Sequence, residues 1–135
     1  MRVIIDTSVW SLVFRRQEKV THPVVTEFEQ LVRDGRIQML GAIRQEILSG
    51  IRDRALFEDL RDTLRNFSDL NLDAEDYEHA AELFNLCRAK GIQGSNTDLL
   101  ICAAARRWQM TIFTTDKDYG FFSRCFPFSL HEMGN

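Results

Sequence analysis

The stretch that most constrains this chain is Val3-Ile4-Ile5-Asp6-Thr7-Ser8. Its β-branched apolar run is too short for a helix and has no polar alternation, so it reads as a strand covered on both faces. Strands of that kind belong to parallel sheets, and Asp6 falls where this one leaves the core. In open parallel sheets, ligands and catalytic groups collect at the carboxyl ends of the strands. The plainer alternative is that Asp6 or Thr7 only caps the following helix, a common role for Asp, Ser and Thr. On this stretch alone the cap has the better support, and the rest of the chain decides.

Further along, apolar runs alternate with helical periodicity. Val9–Phe14 reads as one or two helical turns, and Thr21-His22-Pro23 opens a second helix with Pro23 suited to its first turn. Ile37–Leu40 reads as a second strand, Ile43 to Ile51 as a helix carrying Glu46, and Arg52–Asn66 as a helix with Leu56, Leu60 and Leu64 four apart. Phe67–Leu72 reads as a short strand. Asp73 and Asp76 have capping-box spacing before a helix whose expected buried stripe is Tyr77, Ala80, Ala81, Phe84 and Cys87. Ser95 and Asp98 repeat that spacing before an apolar helix to Trp108. Thr111–Thr115 is a β-branched strand ended by Asp116, Tyr119–Arg124 a short helix or turn, and Phe126–Leu130 a last strand at a sheet edge. Alternating strands and helices imply an α/β chain, with a central, mostly parallel sheet between two helical layers.

Composition narrows the function classes. A chain of 135 residues with 44% hydrophobic and 27% charged residues fits one globular domain over 1–135. No apolar run approaches the roughly 20 residues that cross a bilayer, and no signal peptide is evident, so a cytoplasmic protein without membrane association is expected. Cys87, Cys102 and Cys125 are scattered among apolar residues and read as reduced core thiols. His22, His79 and His131 lack metal-ligand spacing. A formal net charge of −3 argues against holding nucleic acid by bulk electrostatics, though not against nucleic acid as a substrate. On that balance Arg15-Arg16 and Lys19 read as a solvated basic face. Trp10, Phe14 and Trp108 read as core aromatics.

The acids are informative if they converge. Asp6 and Asp116 each follow a strand, and in a parallel sheet they share one rim. Asp98 sits in a helix first turn, where a cap is an even competitor. Glu46 follows the second strand within a helix, where most Glu residues simply face solvent. Hard divalent cations such as Mg²⁺ and Mn²⁺ take oxygen ligands, usually a few carboxylates with waters and phosphate oxygens. Thr7, Ser8, Thr114 and Thr115 are placed to orient such ligands.

Four segments together resemble the PIN-domain family, and within it the small VapC-type toxins. They are Val3-Ile4-Ile5-Asp6-Thr7-Ser8, the helix Ile43-Arg44-Gln45-Glu46-Ile47, the segment Asn96-Thr97-Asp98 with its small-residue helix to Ala105, and Ile112-Phe113-Thr114-Thr115-Asp116-Lys117-Asp118. The resemblance implies a three-layer α/β/α PIN-like domain and an acidic pocket for Mg²⁺ or Mn²⁺. It implies an endoribonuclease acting on RNA, often tRNA or rRNA, as the toxin of a toxin–antitoxin pair, usually homodimeric and inhibited by a cognate antitoxin. Carried over by position, Asp6, Glu46, Asp98 and Asp116 are the catalytic and metal-binding quartet, with Asp118, Thr7, Ser8 and Thr115 as secondary candidates. The region of Ile51, Leu56 and Phe57 is a candidate dimer surface.

Two rivals come from other classes. An Asp-nucleophile phosphotransferase would use Asp6 covalently, but needs a second Asp two residues on, where this chain has Ser8. A non-catalytic PIN-like domain would bind RNA or protein and cleave neither.

Overall fold

The computed structural model describes residues 1–15 and 22–133. The expected basic residues Arg16 and Lys19, and Thr21 at the second helix, lie outside them. Three strands form a parallel sheet in the order β2-β1-β3, with β1 at Val3–Ile5, β2 at Ile37–Gln38 and β3 at Thr111–Phe113. Val3 pairs with Ile37 on one side and Thr111 on the other, and Ile5 pairs with Phe113. Val3, Ile4 and Ile5 are fully buried, as a central strand covered on both faces requires.

Seven helices complete the described chain: α1 Thr7–Arg15, α2 Pro23–Arg33, α3 Gly41–Leu48, α4 Arg54–Leu64, α5 Ala74–Ala89, α6 Asn96–Trp108 and α7 Asp118–Phe122. β2 and β3 flank β1 on opposite sides. The crossover to β2 through α1 and α2 and the return to β3 through α5 and α6 therefore run in opposite directions. With the right-handed connections that parallel sheets take, the two helix pairs cover opposite faces. The result is the three-layer α/β/α fold expected from the sequence. Its reversal of strand order lies beside β1, the place where such sheets bind ligands.

Several sequence expectations change here. The strands expected at Phe67–Leu72 and Phe126–Leu130 shrink to single parallel bridges, Met39 with Asp69 and Ile112 with Leu130. Both segments lie at sheet edges, where only one neighbour supplies hydrogen bonds. β3 stops at Phe113, and Thr114 and Thr115 turn to other work. The α5 stripe is rotated: Asp76, Leu83 and Cys87 are buried, while Tyr77 is 56% exposed and Ala81 is exposed. Leu56 on α4 and Trp108 at the end of α6 are also largely exposed. Trp10 is buried as expected, packed edge-on against Phe28 and Phe67 and stacked on Phe14. The cysteines are free thiols, Cys87 and Cys102 buried and Cys125 partly so.

α5 and α6 are joined at one end by a buried ion pair. Asp76 is fully buried, and Arg107 Nη1 lies 2.7 Å from its Oδ1. Trp108 Nε1 donates to the same oxygen at 3.0 Å. Burial pushes the Asp76 carboxyl up, but donors from the Asp73 amide, Arg107 and Trp108 outweigh it and hold it below the usual carboxylate range.

Candidate acidic centre

Asp6 stands at the end of β1 and takes part in three structures at once. Its amide donates to Phe113 O at 2.9 Å, extending the β1–β3 ladder, and its carbonyl accepts from the amides of Val9 and Trp10 at the start of α1. Its side chain, only 4% exposed, is turned inward. The backbone thus opens the helix, and the carboxylate, beyond a long capping contact to the Ser8 amide, is engaged elsewhere.

That carboxylate is held by hydroxyls. Ser8 Oγ donates to Asp6 Oδ2 at 2.7 Å and Thr114 Oγ1 donates to the same oxygen at 2.8 Å. Each hydroxyl in turn accepts from a backbone amide, Ser8 Oγ from Thr115 N at 3.1 Å and Thr114 Oγ1 from Asp116 N at 2.9 Å. These amides fix the hydroxyl orientations, because an oxygen that receives one proton is left to give its own. The Ser8 amide adds a long contact at 3.4 Å. Oδ2 is therefore filled, and the free acceptor capacity of Asp6 lies on Oδ1.

Asp98 reaches the same place from α6. It does make the expected capping box: Ser95 Oγ accepts from the Asp98 amide at 3.1 Å and Asp98 Oδ2 accepts from the Ser95 amide at 3.3 Å. Its Oδ1 is turned to Tyr119, whose hydroxyl lies 3.4 Å away and 3.1 Å from Asp6 Oδ1. Burial raises the Asp98 carboxyl above its usual range. The Ser95 bonds oppose this, and the charges of Asp6 and Asp116 add to it. Burial and then the charges of Asp6 and Asp98 push the Tyr119 phenol far upward, so its hydroxyl is a neutral donor.

Asp116 follows Thr114 and Thr115. Its Oδ1 accepts from the Asp118 amide at 2.9 Å, starting the short α7 that carries Tyr119 beneath the site. Asp118 and Thr115 are exposed, and Thr7 Oγ1 is buried without a hydrogen-bond partner. Glu46 is exposed on α3 and makes no hydrogen bond or ion pair among the described residues. Its helix is anchored two residues earlier, where Arg44 donates to Phe67 O and Asp69 Oδ1. The structure thus gathers Asp6, Asp98 and Asp116, keeps Asp118 beside Asp116 through its amide, and joins Glu46 to none of them by a contact among the described residues.

Sequence reasoning missed Tyr119. Its only sequence signal is position: three residues after Asp116, one helical turn on, it falls back toward the strand end. Gly94 was read only as loop. A Cβ there would lie 2.6 Å from Leu99 Cδ2 and 2.7 Å from Phe122 Cζ, so the chain entering α6 packs where only glycine fits.

The donor set suits a hard cation. Among the described residues, no Lys, Arg or His bonds to Asp6, Asp98 or Asp116, so no ion pair offsets their mutual repulsion. Nor do any three Asp, Glu, His or Cys side chains among the described residues close a metal cage. Mg²⁺ is commonly held by one or two carboxylates and keeps several waters, so an open acidic pair is the kind of site it takes.

The family model for the PIN domain matches residues 3–125. The chain belongs to the PIN-domain family. Sequence comparison with curated proteins finds no match. Among solved structures, this PIN domain is similar to a chain of the VapBC2 complex from Rickettsia felis bound to a promoter DNA fragment, with TM-score 0.77, 18% identity, and 97% and 98% of the two chains covered. It is similar to a chain of FitAcB from Neisseria gonorrhoeae, with TM-score 0.74, 18% identity, and 96% of each chain covered. A toxin–antitoxin complex from Klebsiella pneumoniae contains another, with TM-score 0.62, 15% identity, and 85% and 87% covered. At such identities the likeness is one of fold.

Proposed function

We propose that this PIN domain is a divalent-metal-dependent endoribonuclease, the toxin of a toxin–antitoxin pair held in check by a cognate antitoxin. The observation that carries the reading is the convergence of Asp6, Asp98 and Asp116 at one end of the sheet, with no ion pair to any of them among the described residues. Asp6 and Asp98, with Asp116, would hold Mg²⁺ or Mn²⁺. When bound, the ion supplies charge stabilisation for phosphodiester hydrolysis and lowers the cost of using water as nucleophile.

The chain's own residues do the rest. Ser8 and Thr114 pin Asp6 Oδ2, so the carboxylate presents Oδ1 in a fixed direction. Glu46, exposed on the helix that follows β2, orients the attacking water. Asp118 and Thr115 border the site. The fold shared with chains of toxin–antitoxin complexes supports an antitoxin partner. An arginine-bearing antitoxin segment would pair with carboxylates that lack one of their own. A homodimer belongs to the same reading.

The test is end-by-end mapping of RNA fragments with Mg²⁺, with Mn²⁺ and with EDTA, for the parent and Asp6→Asn. Metal-dependent cleavage that EDTA abolishes is expected. Asp6→Asn should fold and lose at least about a hundredfold in rate, the scale of a few kcal/mol of transition-state stabilisation. Equal rates for both proteins would refute the role of Asp6. RNA binding without metal-dependent fragments would favour a non-catalytic binding domain.

A further inference from the structure

We propose that Tyr119 is a positioning residue of the acidic centre: its hydroxyl, shared between Asp6 Oδ1 and Asp98 Oδ1, sets the two carboxylates toward a single divalent cation. The proposal rests on the nuclease reading and adds to it a residue with its own role.

A buried tyrosine hydroxyl needs an acceptor, and one carbonyl would satisfy it. Tyr119 is fully buried yet divides one proton between two carboxylates, one on the strand end and one on α6. At 3.1 and 3.4 Å both contacts are longer than the roughly 2.5–2.7 Å of a strong hydroxyl–carboxylate bond. The hydroxyl therefore aligns both oxygens while exhausting the acceptor capacity of neither. On Asp6 this matters most, because Oδ2 already takes two hydroxyl protons and Oδ1 is the atom left for a cation.

The ring has no freedom to leave. Phe122 packs edge-on at 5.2 Å and Phe128 at 6.4 Å between ring centres. α7 itself starts from Asp116, so the third acid fixes the helix that delivers the hydroxyl to the other two. Without the hydroxyl, Asp6 Oδ1 loses its only donor among the described residues, and the two like charges relax apart. That relaxation competes with cation binding. Outer-shell partners of metal ligands typically contribute about 10–100-fold in affinity or activity. Two long contacts from one proton place Tyr119 at the low end, about tenfold.

The experiment is calorimetric titration of Mn²⁺ into metal-stripped parent, Tyr119→Phe and Phe128→Leu, each first checked as folded by circular dichroism and thermal melting. Phenylalanine keeps the ring and removes the hydroxyl. Phe128→Leu disturbs the ring's packing and keeps the hydroxyl. The expected result is a Kd for Mn²⁺ raised about tenfold in Tyr119→Phe and within about twofold of the parent in Phe128→Leu. The Mn²⁺ concentration for half-maximal RNA cleavage should rise in step, with kcat at saturating Mn²⁺ changed much less. Parent-like or tighter Mn²⁺ binding by Tyr119→Phe overturns the proposal. An equal loss in Phe128→Leu also overturns it, reducing Tyr119 to packing. A parent that binds no Mn²⁺ overturns the metal-dependent reading itself, an outcome distinct from a parent that binds while Tyr119→Phe matches it.

Discussion

Replacing Arg107 by Met tests how much the ion pair between α5 and α6 contributes to the stability of the fold. Asp76 is fully buried, while the Arg107 side chain is 29% exposed. Removing one partner of a fully buried pair costs roughly 3–5 kcal/mol, because a charge is left uncompensated. Here Asp76 keeps the Asp73 amide at 2.9 Å and Trp108 Nε1 at 3.0 Å, and water reaches the vacated guanidinium position. The contacts of Arg107 to the exposed Asp73 and Glu75 are worth about 0–1 kcal/mol together. Methionine retains the apolar stem. The expected loss is therefore about 2 kcal/mol, or about 6–10 °C in melting temperature for a chain of this length. Urea denaturation of the parent, Arg107→Met, Asp76→Asn and the double variant isolates the pair term. The sign with pH is fixed. The Asp76 carboxyl is depressed on folding, so its contribution is present above the usual value of 3.8 and is lost as pH falls through the depressed one. The gap between parent and Arg107→Met should therefore close in acid. A gap below about 0.5 kcal/mol at neutral pH, or one that persists undiminished near about pH 2, would refute this account.

Two further outcomes follow from the site. Gly94→Ala should lose about 1–3 kcal/mol in urea denaturation, since its Cβ meets Leu99 and Phe122, both buried with no room to yield; an unchanged midpoint would show that the loop shifts freely. Asp98 carries the opposite pH sign to Asp76. Its carboxyl is raised on folding, so its contribution is full below 3.8 and lost as pH rises through the raised value. In EDTA, Asp98→Asn should hold its melting temperature better than the parent as pH climbs from about 4 toward neutrality; a constant difference across that range contradicts the charge crowding described here.

The features legible in sequence are those whose cause is local. Val3-Ile4-Ile5 announces a doubly covered strand because burial on both faces leaves no polar position. The caps Asp73 with Asp76 and Ser95 with Asp98 are visible because both partners lie three residues apart. Asp6, Asp98 and Asp116 were nameable one by one, since each stands at a strand end or helix start. That Asp6 and Asp116 share a rim follows from parallel strands, and the family resemblance groups them with Asp98, but the contacts that join them depend on strand order, which sequence does not show. Tyr119 was invisible for the same reason: its acceptors lie 113 and 21 residues away. The α5 stripe holds at Ala80, Phe84 and Cys87 and fails at Tyr77 and Ala81, where Asp76 and Leu83 are buried instead. A pattern reading sends carboxylates to solvent, whereas Arg107 draws Asp76 inward and turns Tyr77 out. Trp108 closes α6 half-exposed, with its indole N–H bonded to that same carboxylate.

Asp6 has a consequence beyond its carboxylate. Its amide lies in the β1–β3 ladder, its carbonyl opens α1, and the strand before it has no exposed residue. Exposing this peptide to solvent requires parting the central strand from its neighbour, an event close in free energy to unfolding the whole domain. Asp6 is thus set into a stretch whose amides are expected to exchange slowly, while Asp98 and Asp116 reach it from the first turn of α6 and the turn after β3. Local melting of either of those segments would disperse the centre while Asp6 stays in place.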